Sequence, residues 1–239
     1  MDFGISVSAK KCTAVLGLIV LALVAASVGA TFLSFLSIND PVLLQVRRSL
    51  VRLTWADGEG NIPAWYSASL LLMCALLLAA IASVQRQRRS GNVLRWLTLS
   101  LIFAFLSLDE VAQLHELSIM PLRDSLGTSG FLYYPWIVPG GIGVTWFVAS
   151  YRGLLAELPA RTRTLFLIAG ALFIGGALGV EAISGKHASL HGEQNLTYHL
   201  IITLEELLEM AGAVTFIYAL LDYIGRQFSS VRFHITPIR

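Results

Sequence analysis

The stretch Ala64-Trp-Tyr-Ser-Ala-Ser-Leu70-Leu-Leu-Met-Cys74-Ala-Leu-Leu-Leu-Ala-Ala80-Ile-Ala-Ser-Val84 runs without a single charged residue. A helix that crosses the hydrocarbon layer of a bilayer needs about 20 predominantly apolar residues, and this stretch meets that length unbroken. Five more stretches of the same kind accompany it, at residues 13–37, 94–118, 132–151, 163–184 and 198–224. The expected fold class is therefore all-α: a polytopic membrane helix bundle of six transmembrane helices, with residues 1–239 forming a single transmembrane domain.

Composition points the same way. Hydrophobic residues make up 56% of the chain and charged residues 13%, against about 25% charged in ordinary soluble domains. A formal charge of +2, with no Lys/Arg run interleaved with aromatics, gives no nucleic-acid partner. Cys12 and Cys74 lie at the edge of one apolar stretch and inside another, which excludes a disulfide framework and a thiolate metal site. The first stretch follows Lys10 and Lys11 and passes through the small residues Ala25 to Ala30, the outline of a cleaved signal peptide. It outruns the apolar core of about 7–15 residues that such peptides carry, so it is read as a span.

Basic residues orient the bundle, because Lys and Arg collect on the cytoplasmic side. With the N-terminus inside, 12 of the 17 Lys and Arg fall on inner segments, and only Arg47, Arg48, Arg52, Arg123 and Lys186 lie outside. Both termini are expected to be cytoplasmic. In the first outer loop, Pro41 to Trp55 reads as a short amphipathic helix lying on the membrane surface. Leu43, Val46, Leu50 and Leu53 share one face, and Gln45, Arg48 and Arg52 the other. Tyr133, Tyr134 and Trp136 form an outer aromatic belt, and Pro135, Pro139, Gly140, Gly141 and Gly143 make the fourth span easy to bend. Ala171, Gly175 and Gly179 recur every four residues, a small-residue seam for helix packing.

The acidic residues divide very unevenly. Of 15 Asp and Glu, only Asp2, Glu157 and Asp222 fall on the inner side. Asp109, Glu110, Glu116, Glu181, Glu205, Glu206 and Glu209 all lie within the outer halves of expected spans. At about 100° per residue, Asp109, Gln113 and Glu116 share one face of the third span, with Glu110 on its flank and His115 turned away. On the sixth span Tyr198, Glu205, Glu209 and Gly212 line up, flanked by Glu206. An ionised carboxylate at a helix centre costs on the order of 2.5–3.5 kcal/mol on insertion scales. Seven of them would rival the ~5–15 kcal/mol stability of a typical domain.

No Lys or Arg lies at that depth within a span, so bound cations, shared protons or a watery cavity must compensate. Inward-facing acids of helical bundles hold paired metal ions in this manner. One or two divalent ions are expected, with Asp109, Glu116, Glu181, Glu205, Glu209 and His115 as candidate ligands and Glu110 and Glu206 as candidate general bases. An oxygen-rich set suits Mg, Ca, Mn or Fe better than Cu or Zn. The absence of a Glu-x-x-His spacing argues against a di-iron centre. The turn Asp57-Gly-Glu59-Gly-Asn61 and the outer-loop residues Lys186, His187, His191, Glu193 and His199 could complete such a site, and Asn195-Leu-Thr197 matches a glycosylation sequon.

The segments Asp57-Gly-Glu-Gly-Asn-Ile-Pro-Ala-Trp65-Tyr-Ser, Ser107-Leu-Asp-Glu-Val-Ala-Gln-Leu-His-Glu116 and Leu204-Glu-Glu-Leu-Leu-Glu209 resemble a group of bacterial multi-pass membrane proteins. The resemblance implies a bacterial inner-membrane setting and supplies no activity, cofactor or substrate. Three functions then compete. One is a metal-dependent membrane enzyme, a hydrolase or oxidoreductase, acting on a lipid or other apolar substrate from the outer leaflet. Another is a cation or proton-coupled transporter, which would need a polar route that the inner halves of the spans hardly offer. The third is a non-catalytic subunit or assembly factor, with a membrane-protein partner or a second copy of the chain.

Overall fold

A computed structural model describes residues 8–56, 58 and 60–228. The described residues are all-α, with no strand. Polar caps start four of the helices. Ser8 precedes α1 (Ala9–Ser34), Asp40 precedes α2 (Pro41–Thr54), Asn61 precedes α3 (Ile62–Gln87), and Asn195 precedes α9 (Leu196–Gln227). Each cap side chain accepts a backbone N–H that the first turn would otherwise leave unpaired.

Between these lie α4 (Val93–Ala112), the short α5 (Ile119–Leu126) and α6 (Ile137–Glu157). A continuous rod follows, made of α7 (Ala160–Ile174), a π-helical segment (Gly175–Val180) and α8 (Glu181–His191). The long rods α1, α3, α4, α6, α7–α8 and α9 number six. Three of them, α1, α3 and α7–α8, are long and apolar enough to cross a membrane, and α4 with the helix after its bend makes a fourth if the pair is one broken span. Longest with α7–α8, α9 carries Glu205, Glu206 and Glu209 in one half and Asp222 in the other, which breaks its apolar character.

α9 is the hub: α7, α1 and α3 pack against it, and α4 packs against α3. One end of the bundle is aromatic and aliphatic. Trp96 stacks on Tyr223 at 5.5 Å, Phe103 stacks on Phe216 at 4.8 Å, and Leu78, Ile217 and Leu220 are fully buried around them. In lipid, such a core is held by close packing, since the solvent is itself apolar. This end also carries ion pairs: Asp222 meets Arg226 at 2.8 Å and Arg161 at 3.2 Å. It is the basic end, and the carboxylates gather at the other.

Two expectations require correction. The seam at Ala171, Gly175 and Gly179 is not where the backbones touch. Ala171 is exposed, and a Cβ on Gly175 or Gly179 would meet nothing within 4 Å. Close approach occurs at Gly176, where a Cβ would stand 2.8 Å from the Glu205 carbonyl oxygen, and at Gly212, where it would stand 2.7 Å from the Phe173 nitrogen. The face that meets α9 is instead the one bearing Phe166, Ala169, Phe173 and Gly176, at ordinary helical spacing, and the seam residues lie on another face of the same rod.

The third span also ends early. A helix through residue 118 is expected, but α4 stops at Ala112 and Gln113 adopts the left-handed conformation (φ 49°, ψ 44°). The chain bends by 68° into the 3-10 turn Glu116–Ser118 and α5. Asp109 is the cause: its Oδ1 accepts the His115 backbone N–H at 3.0 Å, a side-chain bond that competes with helix continuation.

Candidate functional site

The bend at Gln113 brings His115 back over the last turn of α4. Its Nδ1 lies 2.8 Å from Asp109 Oδ2, so both Asp109 oxygens engage one residue. The His115 ring packs 4.8 Å from the Trp136 indole. That indole donates from Nε1 to Glu181 Oε1 at 2.6 Å. Gly140 makes this reach possible, because a Cβ there would collide with the indole at 2.9 Å. Glu181 is the first residue after the π segment and is buried at 8% exposure. The extra residue in the wide turn sets its direction, and π turns of this kind recur at functional positions.

From the facing helix, Glu205 Oε2 accepts a long hydrogen bond from the Ser184 hydroxyl at 3.5 Å. Glu110 lies near the buried Ser67 on α3 and within the fields of Asp109 and His115. Glu209 lies within the fields of Glu110, Glu205, Glu181 and Asp109. Four helical elements, α3, α4, α8 and α9, thus converge on one carboxylate group.

A family described as a domain of unknown function, DUF8692, matches residues 14–224. The chain belongs to the DUF8692 family. Comparison with curated proteins and with solved structures gives no match. The matched region of this DUF8692 chain contains every residue of the acidic group.

Of the expected site residues, Asp109, Glu110, Glu181 and Glu205 lie within electrostatic reach of Glu209 in this DUF8692 chain, and His115 is tied to them through Asp109. The shared face of Asp109, Gln113 and Glu116 does not form. Glu116 sits beyond the bend and is exposed, although its charge still acts on His115. Conversely, the helical wheel turned His115 away, whereas the bend returns it. Glu206 is half-buried on the flank of α9.

Among the loop candidates, Asp57 and Glu59 lie outside the described residues. His199 is buried, stacked 4.9 Å from Trp55, and stands apart from the acids. His187 bonds Asn195 at 2.8 Å and stacks on exposed His191. Asn195, the sequon residue, is the α9 cap and also bonds Gly192. Trp136, Ser67 and Ser184 escaped the sequence reading. Trp136 was visible only as a belt aromatic, Ser67 only as the last residue of the quoted segment that begins at Asp57, and Ser184 sits in a small-residue helix stretch that carries no motif.

Chemically the group offers hard oxygen donors with one imidazole at its edge, a set suited to Mg, Ca, Mn or Fe. Among the described residues, no three His, Cys, Asp or Glu side chains gather closely enough to hold a metal ion between them. One or two carboxylates with several waters is the way Mg²⁺ is usually held.

Proposed function

We propose that this chain is a six-span membrane protein that binds a hydrated divalent cation at an outward-facing carboxylate site within the bilayer. Four carboxylates whose charges converge on Glu209 support this reading. Glu209 and Glu205 on α9 are the principal ligands, with Glu181 and Glu110 facing them. Asp109 has both oxygens turned to His115 and acts from outside the ligand shell. Mg²⁺ or Mn²⁺, keeping part of its water shell, matches carboxylates that do not form an all-protein cage. In this reading the basic end is cytoplasmic in a bacterial inner membrane, with both termini there, and the acidic end faces the periplasm.

The site lies beside lipid, so an apolar or lipid substrate is the class it would act on if the bound ion is catalytic. A second reading, a cation carrier, draws on the two interruptions next to the acids, the bend at Gln113 and the π segment. Broken helices line the ion sites of transporters. Elemental analysis of the detergent-purified protein, after dialysis against Mg²⁺, Mn²⁺, Ca²⁺ and Fe²⁺ in turn, tests the cation site. One or two ions per chain, lost in Glu209→Gln, is the expected result. No stoichiometric ion under any of the four would overturn it. Ion flux into proteoliposomes separates carrier from closed site.

A further inference from the structure

A separate surface lies on α2. This helix presents three faces. Leu44, Arg47, Val51 and Thr54 are partly covered, and α2 packs on α1 and α3. The Arg47 guanidinium is committed there, donating to the Leu36 carbonyl. A second face bears Val42, Leu43, Val46, Leu50 and Leu53, all exposed at 42–70%. The third carries Gln45, Arg48, Ser49 and Arg52, also exposed.

These faces lie roughly a third of a turn apart, by the ~100° step of a helix. The arrangement matches a membrane boundary, with one side against protein, one against acyl chains, and one among headgroups. No acid occurs from Pro41 to Thr54, while Arg48 and Arg52 sit four residues apart on the headgroup side. At that spacing two side chains are neighbours, and two guanidinium groups can share one phosphate. The helix is also preformed: Asp40 caps it through Val42 and Leu43 at 2.8 and 2.9 Å.

We propose that α2 binds an anionic phospholipid of its own leaflet, the phosphodiester held between Arg48 and Arg52 and the acyl chains lying against Leu43, Val46 and Leu50. This site is independent of the carboxylate group, whose named members lie on α4, α8 and α9. Charge complementarity selects the occupant, since a zwitterionic lipid offers the same chains without the net charge. α2 also ends at Trp55, which stacks on His199 at the start of α9, so the lipid would sit one ring contact from the helix that bears Glu205 and Glu209.

Native mass spectrometry of the full chain, released from detergent containing dioleoyl phosphatidylglycerol or dioleoyl phosphatidylcholine, reads the bound lipid directly. We expect retention of phosphatidylglycerol over phosphatidylcholine. Each arginine near an anionic surface is worth about fivefold, so the double variant Arg48→Gln/Arg52→Gln should weaken phosphatidylglycerol binding roughly thirtyfold by the same rule. The Arg48→Lys/Arg52→Lys variant keeps the charge and should retain most of it, which separates lost recognition from lost folding. Inorganic phosphate should not displace the lipid, because it lacks the chains. Equal retention of the two lipids, or undiminished phosphatidylglycerol in the folded Gln variant, would overturn the proposal.

Discussion

Asp109 and His115, six residues apart, are joined twice: backbone N–H to Oδ1 at 3.0 Å and ring Nδ1 to Oδ2 at 2.8 Å. The pair closes the end of α4 and fixes the imidazole against Trp136. Charge-assisted bonds of this kind contribute about 1.5–3 kcal/mol. A double-mutant cycle of Asp109→Asn and His115→Ala, read by thermal unfolding in detergent, should return a coupling energy of that order. Simple additivity of the two losses would show that the contact does not hold the bend.

Gln113 occupies a left-handed conformation that costs a non-glycine residue about 1 kcal/mol or more. Gln113→Gly should therefore raise the unfolding temperature or leave it unchanged. Gln113→Val, a branched side chain at positive φ, should lower it. If Val is tolerated as well as Gly, the backbone at the bend differs from that described.

Gly176 and Gly212 are where α7, the π segment and α9 touch. Gly212→Ala places a methyl group 2.9 Å from the Ala169 carbonyl oxygen, and Gly176→Ala places one 2.9 Å from Glu209 Cγ. Overpacking of this kind costs about 1–3 kcal/mol. Both variants should be less stable than the wild type, and Gly176→Ala should also reduce bound cation by displacing Glu209. Gly179→Ala, which meets nothing within 4 Å, should match the wild type in stability.

The proposed six-span topology puts Gln87, the last residue of α3, and Ser125, in α5, on opposite sides of the membrane, with α4 between them. In a Cys12→Ser/Cys74→Ala background, Gln87→Cys should react with a membrane-impermeant thiol reagent only from the cytoplasmic face, and Ser125→Cys only from the opposite face. Labelling of both from one side would mean that α4 and α5 form a re-entrant hairpin.

Much of this was legible in the residues themselves. Apolar runs such as Leu70 to Ala82 announce buried helices whatever their neighbours do, and Glu205 and Glu209 share a face because α9 is regular through them. Reading failed at α4 where helical regularity failed: the wheel that aligned Asp109 with Glu116 assumed 3.6 residues per turn through a position where a side-chain bond ends the helix. The seam at Gly175 and Gly179 failed differently, because spacing shows that small residues share a face and only tertiary contact shows which face meets a neighbour. Trp136 carries a pattern shared by every interfacial aromatic, and only tertiary contact reveals that its N–H is spent on Glu181.

The wide turn from Gly175 to Val180 leaves the reading frame of this rod one residue out of step with an ordinary helix. Deleting a single amino acid there would let the rod close into regular α-helix. Because the wide turn absorbs the surplus residue, everything beyond would keep its place, with Glu181 still at the indole and Gly185 still against Tyr133 and Tyr134. The same deletion in the regular turns of α7 has no such slack and would swivel the rod beyond it by about 100°. Only within the wide turn can the chain lose a residue and still gather its acids.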